Sequence, residues 1–217
     1  MSMNAPDRNV SKRNAVLVGI ALVVVAALAL VAVLVTRNSD KTVSTAATTE
    51  MGTVTVTGAA LQPLPETGPD TAIGTKAPDI VGQTFDGSVA TIAPGRSPML
   101  VMFVAHWCPH CQREVPQIAK WTKAGLADGV ALAAVATGTD PKLPNYPPSS
   151  WLAGEGWAIP TLADSAETAA AAAYGLTSFP YFVALDAAGN VTGRASGELT
   201  EEQFTKLLAT TKSEAQD

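Results

Sequence analysis

The chain contains two cysteines, Cys108 and Cys111, separated by two residues. An apolar run of strand length precedes this pair, and apolar residues at helical spacing follow it. A Cys-x-x-Cys pair placed between a strand and a helix is typical of thiol–disulfide exchange. Because the chain has no third cysteine, it has no separate structural disulfide. Any thiol chemistry of this chain must therefore use Cys108 and Cys111.

Residues 15–35 are a second distinctive segment, because these 21 residues include no charged side chain and no proline. A helix of this length rises about 30 Å, at about 1.5 Å per residue, which matches the hydrocarbon core of a bilayer. The alternatives are a buried core helix and a cleaved signal peptide, but a signal peptide usually has a shorter apolar region before its cleavage site. We expect an uncleaved transmembrane anchor.

The charges around residues 15–35 predict the orientation of the chain. Three basic residues and the N-terminal amine precede this segment, and two basic residues follow it closely. This bias favours a cytoplasmic tail at residues 1–14. We therefore expect a single-pass protein of a cell membrane, with the domain that carries the cysteines outside, where thiols can be oxidised. The net charge of −5 gives no indication of nucleic-acid binding.

Residues 36–71 are rich in Thr, Ala, Ser, Gly and Pro and contain few large apolar side chains. Such a composition cannot bury enough apolar surface to offset the entropy of ordering the chain. We expect a flexible linker here, with at most a short extended piece at residues 53–57. Residues 72–217 are long enough to form one domain with its own core.

The apolar pattern of residues 72–217 predicts an α/β sandwich. The runs 99–105 and 130–136 are typical of strands buried on both faces, and a helix between them completes a right-handed βαβ unit. Turn signals at Asp86-Gly87 and at residues 186–190 predict two β-hairpins. A capping box that begins at Thr200 predicts the start of the last helix.

Cys108 lies at the predicted N-terminus of the helix in this βαβ unit. Unpaired N–H groups and the helix dipole favour an anion there, so we expect Cys108 to ionise near neutral pH and to attack disulfides. Cys111, about one turn further along the helix, can resolve the mixed disulfide. His110 adds a donor or a positive charge beside the thiolate, which favours an oxidising disulfide. No cofactor beyond this cysteine pair is expected.

A metal half-site is the alternative interpretation of a Cys-x-x-Cys pair. His106 and His110 lie in the same short segment as Cys108 and Cys111. A segment this short cannot easily place four ligands tetrahedrally around one ion. We therefore predict no metal site. Copper(I) held by the two thiolates is the version that remains, and it would make the chain a copper(I) chaperone. Haem attachment requires a histidine directly after the second cysteine, where this chain has Gln112.

The sequence from Trp107 to Cys111 after an apolar strand, with Pro116 beyond it, resembles the thioredoxin superfamily. The segments 76–79 and 173–189 resemble its TlpA/ResA branch of membrane-anchored thiol–disulfide oxidoreductases. The resemblance covers roughly residues 74–211. It implies a thioredoxin-like sandwich with a central mixed sheet and an N-terminal β-hairpin, preceded by one transmembrane helix.

The resemblance also implies roles for individual side chains. Pro180 matches the family's cis-proline, which offers the backbone of the preceding residue, Phe179, to an incoming disulfide-bearing peptide. Trp107 matches the tryptophan packed beside the active site, so these three residues are expected to bind substrate. Glu114 matches a glutamate that exchanges a proton with the inner thiol of Cys111. A solvated charge on the helix surface is the alternative for Glu114.

The chain departs from the family pattern at several positions. Met102 stands where thioredoxins carry a buried aspartate, so proton handling would fall to Glu114 or to water. Phe179 stands where the reductants usually have a small or β-branched residue. We expect the side chain of His106 to be exposed in its loop. The dipeptide Pro109-His110 resembles that of the DsbA-type oxidants.

The resemblance thus implies a membrane-tethered enzyme that exchanges thiols and disulfides with exported proteins and is recycled by a membrane redox partner. Its direction stays open at this point. The TlpA/ResA framework favours a reductant, for example of apocytochrome c or of copper-site proteins. We favour an oxidant, because the Pro109-His110 dipeptide acts directly on the thiolate that sets the reduction potential.

Overall fold

The computed structural model describes residues 49–212 of the chain. The predicted cytoplasmic tail 1–14, the predicted anchor 15–35 and the first part of the predicted linker lie outside the described residues. Within residues 49–212, no helix has the length and apolar character needed to cross a bilayer. The elements, in chain order, are β1 (Thr55–Thr57), β2 (Asp79–Thr84), β3 (Val89–Ile92), β4 (Met99–Val104), α1 (Pro109–Lys123), β5 (Ala131–Ala136), α2 (Pro148–Gly154), β6 (Thr161–Ala163), α3 (Ala169–Ala173), β7 (Tyr181–Leu185), β8 (Val191–Ser196) and α4 (Glu201–Thr210).

The strands form one mixed sheet in the order β1-β2-β6-β5-β4-β7-β8, and β3 pairs with β2 outside this order. The predicted βαβ unit is confirmed, because β4 and β5 are parallel and α1 connects them. Both predicted hairpins, β2–β3 and β7–β8, are antiparallel pairs. The capping box at the start of α4 is also present. The predicted α/β sandwich is therefore confirmed within residues 49–212.

Strand β4 is buried on both faces because each face of the sheet is covered. Val101 and Phe103 belong to an apolar cluster that includes Tyr174, just after α3. Leu100 and Met102 point to the opposite face, into a cluster with side chains of α1 and α4. Successive residues of a strand face opposite sides of the sheet, so the uninterrupted apolar run reflects two cores.

The structure differs from the predicted flexible linker 36–71 over residues 49–71, which pack along the domain. Within this arm, β1 pairs with β2, and the Leu61 side chain is buried in the same cluster as Phe103. Main-chain hydrogen bonds also join the arm to the domain, including one from the Thr49 N–H to the Phe85 carbonyl (2.7 Å). Composition did not predict this packing, because the packing does not require a high apolar content. Backbone pairing and a few apolar side chains are sufficient for it.

Arg194 of β8 fixes the arm to the sheet. Its side chain is fully buried, and its guanidinium donates to both carboxylate oxygens of Asp70, which lowers the pKa of that carboxyl group. The same guanidinium donates to the carbonyl of Gln62 (2.7 Å) and to the hydroxyl of Tyr181 (3.0 Å). Gly175, with φ of 71°, lets this carbonyl approach closely, because a side chain there would overlap the Gln62 oxygen.

We expect the substitution Arg194→Leu to lower the free energy of unfolding by about 3 kcal/mol, because it leaves the Asp70 carboxylate half-buried without its cation. Urea denaturation followed by circular dichroism would measure the change. The matched control is Arg96→Leu, since Arg96 is exposed. Exposed positions usually change stability by less than about 0.5 kcal/mol. Equal effects of the two substitutions would contradict this account of the arm.

Candidate active site

Helix α1 begins directly at the cysteine pair. Cys108 is the N-cap residue and has extended backbone angles, and Pro109 is the first helical residue. Proline suits this position, because its missing N–H has no partner in the first turn and its φ angle is already helical. The first turn contains no acidic side chain. The unpaired N–H groups of this helix end therefore favour negative charge at the sulfur of Cys108.

The two thiols differ in their access to solvent. Cys108 is 5% exposed, whereas Cys111 is completely buried. The backbone N–H of Ala105 lies 3.4 Å from the Cys111 sulfur and donates to it. Burial nevertheless raises the pKa of the Cys111 thiol far above its usual value. Only Cys108 can meet a substrate sulfur, and Cys111 needs a proton acceptor before it can react.

Glu114 supplies a buried carboxyl group one helical turn from Cys111. Desolvation raises the pKa of Glu114 to about 7, against the effect of the hydrogen bond that the Leu199 N–H donates to its Oε1 (3.1 Å). The alternative of a solvated surface charge is wrong, because the Glu114 side chain is buried. A negative charge on Glu114 in turn adds to the rise in the pKa of Cys111. The two groups are thus close enough to influence each other's ionisation.

His110 lies on the exposed side of the site and forms part of an ionic network. Its Nδ1 is 2.6 Å from Oε1 of Glu198, which lies between β8 and α4. Arg113 donates from Nε to both oxygens of the same carboxylate, at 3.0 and 3.1 Å. The hydrogen bonds from Arg113 and His110 lower the pKa of Glu198 to about 2. His110, Arg113 and Glu198 therefore form one exposed network at the start of α1.

The three predicted substrate-binding residues meet beside Cys108. The rings of Trp107 and Phe179 are 5.7 Å apart and nearly perpendicular, and both pack on the apolar cluster that contains Cys108 and Cys111. The peptide bond between Phe179 and Pro180 is cis, as the resemblance implied. The structure thus places Trp107 and Phe179 against the cluster that contains the cysteine pair, with Pro180 directly after Phe179, and the roles of these residues stay predictions.

The structure corrects the interpretation of His106. We expected an exposed loop side chain, but His106 is 1% exposed. Its Nδ1 lies 2.6 Å from the Pro144 carbonyl, and the Asp140 N–H donates to its Nε2 (3.2 Å). Its place directly after the buried run of β4 was the one sequence signal for burial. Sequence reasoning also missed Arg113, although it lies beside the motif, and Glu198, which is far from the cysteines along the chain and carries no local signal.

Metal binding was a further question at this site. Across residues 49–212, no group of three or more His, Cys, Asp or Glu side chains is arranged to hold a metal ion. The chemistry that the described residues support is exchange between a dithiol and a disulfide. In that exchange Glu114 can accept the proton of Cys111 when this thiol attacks, or return a proton when it leaves.

The raised pKa of Glu114 predicts how stability changes with pH. The folded state holds this proton up to about pH 7, whereas the unfolded chain releases it near the ordinary value of 4.5. Wild-type stability should therefore fall as pH rises from about 4.5 to 7, and Glu114→Gln, which cannot ionise, should escape this loss. At pH 8.5 we expect the variant to be more stable by up to about 3 kcal/mol.

Thermal and urea unfolding at pH 4.5 and pH 8.5 would measure the difference between wild type and Glu114→Gln. The matched control is Glu202→Gln, because Glu202 is an exposed glutamate on α4. Parallel stability curves for wild type and Glu114→Gln would mean that Glu114 does not titrate near neutral pH.

A family profile described as Redoxin matches residues 72–210. No curated protein sequence matches the chain. Among solved structures, a thioredoxin-family thiol:disulfide interchange protein from Chlorobium tepidum is 27% identical, with a TM-score of 0.52, and the match covers 64% of this chain and 96% of that protein.

Two further structures share the fold. A secreted Mycobacterium tuberculosis disulfide oxidoreductase homologous to E. coli DsbE is 20% identical, with a TM-score of 0.50, and the match covers 65% of this chain and 98% of that protein. StoA from Bacillus subtilis is also 20% identical, with a TM-score of 0.50, and the match covers 63% of this chain and 98% of StoA.

Proposed function

The chain belongs to the Redoxin family and is a thiol–disulfide oxidoreductase of the thioredoxin type, and we propose that it works outside the cell membrane on exported proteins. One observation carries the exchange chemistry. Cys108 remains 5% exposed at the N-terminus of α1, while Cys111 is completely buried one turn away beside Glu114. A more accessible thiol that forms the mixed disulfide and a buried thiol that resolves it are the two parts that this reaction requires.

We further propose that the enzyme is an oxidant. A substrate thiolate attacks the sulfur of Cys108 in the Cys108–Cys111 disulfide, the S–S bond breaks, and its electron pair leaves on Cys111. Glu114 returns a proton to Cys111. A second thiolate of the substrate then attacks the substrate sulfur that is bonded to Cys108, the mixed disulfide breaks, and Cys108 leaves as a thiolate. The substrate leaves with a disulfide, and its two electrons stay on the cysteine pair until a membrane redox partner removes them.

The surroundings of Cys108 support this direction. The sulfur lies at a helix N-terminus whose first turn contains His110 and no acidic residue, and Arg113 is close enough for its charge to interact with that of Cys108. A stabilised thiolate makes the reduced form more stable and the disulfide more oxidising.

A reductant is the second candidate, and Glu198 favours it. Its carboxylate accepts hydrogen bonds from both His110 and Arg113, and its charge offsets that of the Arg113 guanidinium near Cys108. A less stabilised thiolate would lower the reduction potential. In that direction the substrates would be oxidised proteins such as apocytochrome c or copper-site proteins, and the membrane partner would supply electrons.

The reduction potential distinguishes the two directions. We expect full-length protein in detergent, equilibrated with glutathione buffers and read by mass spectrometry after thiol alkylation, to give about −120 to −150 mV, in the range of strong oxidants. Cys111→Ser is the control, because it cannot form the internal disulfide. A value at or below about −220 mV would contradict the oxidant and favour the reductant.

The membrane location rests on the predicted anchor at residues 15–35 and on the charges around it. A solved structure of the same fold belongs to a secreted protein, which is consistent with an extracytoplasmic domain. Exported proteins with thiols or disulfides would be the substrates in this compartment.

Labelling of intact cells tests the location. Both cysteines lie in the redox domain, so a membrane-impermeant maleimide should label the reduced protein from outside the cell, with Cys108→Ser/Cys111→Ser as the unlabelled control. We expect most of the protein to remain in the membrane fraction after a carbonate wash, and deletion of residues 15–35 to release it. Labelling that occurs only after the cells are lysed would contradict the proposed orientation.

A further inference from the structure

The segment between β5 and α2, residues 138–147, carries two exposed apolar side chains close to the active site. Leu143 is 38% exposed and Tyr146 is 41% exposed. Three prolines in this 138–147 loop restrict its backbone. Single apolar side chains at the surface are common, so these two side chains matter only through the position of their loop. The position of these two therefore raises the question of what they contact during catalysis.

Hydrogen bonds hold the 138–147 loop against the segment that leads into the cysteine pair. Trp107 donates from its ring nitrogen to the Gly138 carbonyl (2.7 Å), and Asn145 donates to the His106 carbonyl (3.2 Å). The imidazole of His106 makes two more bonds to the loop. A carbonyl oxygen only accepts and a backbone N–H only donates, so Nδ1 of His106 carries the proton and Nε2 is the acceptor.

These bonds place the loop directly beside the predicted substrate-binding residues. A methyl group added at Gly138 would lie 3.8 Å from the rings of both Trp107 and Phe179. The ring of Tyr146 lies edge-on to that of His106, with ring centroids 6.0 Å apart. The loop therefore adjoins Trp107 and Phe179 at Gly138, and Leu143 and Tyr146 are its exposed apolar side chains.

We propose that the 138–147 loop is a recognition surface for an unfolded, apolar segment of the substrate polypeptide, with Leu143 and Tyr146 contacting side chains that flank the substrate cysteine. This rests on the proposed function, because the exchange must bring a substrate sulfur to Cys108. The residues around that sulfur must then cross the neighbouring surface, which includes the loop.

Two observations favour an unfolded, apolar substrate segment as the partner of this loop. Cys108 is 5% exposed, so a sulfur reaches it only from a segment that can follow the surface of the enzyme, as an unfolded chain does. The loop carries one acidic and one basic side chain, Asp140 and Lys142, so their charges offset each other and apolar contact is left to discriminate. The hydrogen bonds and prolines fix the loop before binding, which reduces the entropy lost when a flexible peptide binds.

The experiment compares two short synthetic peptides, each with two cysteines, that differ only in the flanking residues. One peptide has Leu and Phe beside its cysteines, and the other has Ser and Thr. Exchange with full-length enzyme is followed by mass spectrometry in whichever direction the enzyme runs. We expect wild type to show a value of kcat/KM about tenfold higher for the apolar peptide, mainly through KM.

The double variant Leu143→Ser/Tyr146→Ser should bring the ratio of the two kcat/KM values close to one. Ile73→Ser is the matched control, because Ile73 is also exposed but lies in a turn before β2, and it should keep the wild-type ratio. A double variant that keeps the wild-type ratio would overturn the proposal. The proposal would also be overturned if the double variant kept this ratio but was a monomer in analytical ultracentrifugation where wild type is a dimer. The surface would then bind a second copy of the chain.

The outcomes also separate this inference from the function on which it rests. No exchange by wild type with either peptide would contradict the proposed function. Exchange by wild type at equal rates with both peptides would leave that function intact and contradict only the role of the 138–147 loop.

Discussion

Helix α1 packs with its first turn at the carboxyl end of β4, and this contact decides which of the two thiols meets solvent. Cys108 precedes the helix and stays near the surface, whereas Cys111 turns inward against the apolar cluster around Val115 and Leu152. Burial at the same place shifts the ionisation of Glu114 toward neutral pH. The different roles of the two thiols and the proton that Glu114 can supply thus have the same physical origin. Both result from the exclusion of water around one helical turn.

Much of the fold could be predicted from the sequence, because its central elements carry strong local signals. The uninterrupted apolar run of β4, the turn residues of the hairpins and the capping box of α4 each act over a few residues. Strand β6 carries no such signal: it has three residues, and it exists because β5 and β2 pair with it on either side. The packing of residues 49–71 also depends on distant partners, above all on Arg194.

The residues of the active site also differ in how well the sequence predicts them. The cysteine pair could be found because its spacing is a local signal, and Glu114, Trp107 and Pro180 because they match a family pattern. Sequence could not show that Glu198 faces His110, since a loop between β8 and α4 brings it there. His106 was misinterpreted for a related reason. Polar side chains after a strand are usually exposed, and its burial depends on carbonyl and N–H groups that a separate loop supplies.

The hydrogen bonds from Arg194 to the arm have a practical consequence for the choice of domain boundaries. The family similarity begins at residue 72, but the folded unit already includes residues from 49 onward. A fragment cut at the family boundary would remove Asp70 and Gln62 together, and the buried guanidinium would keep only the Tyr181 hydroxyl of these partners. The limits of an inherited sequence pattern and the limits of an autonomous folding unit therefore do not coincide, and a recombinant domain should begin no later than residue 49.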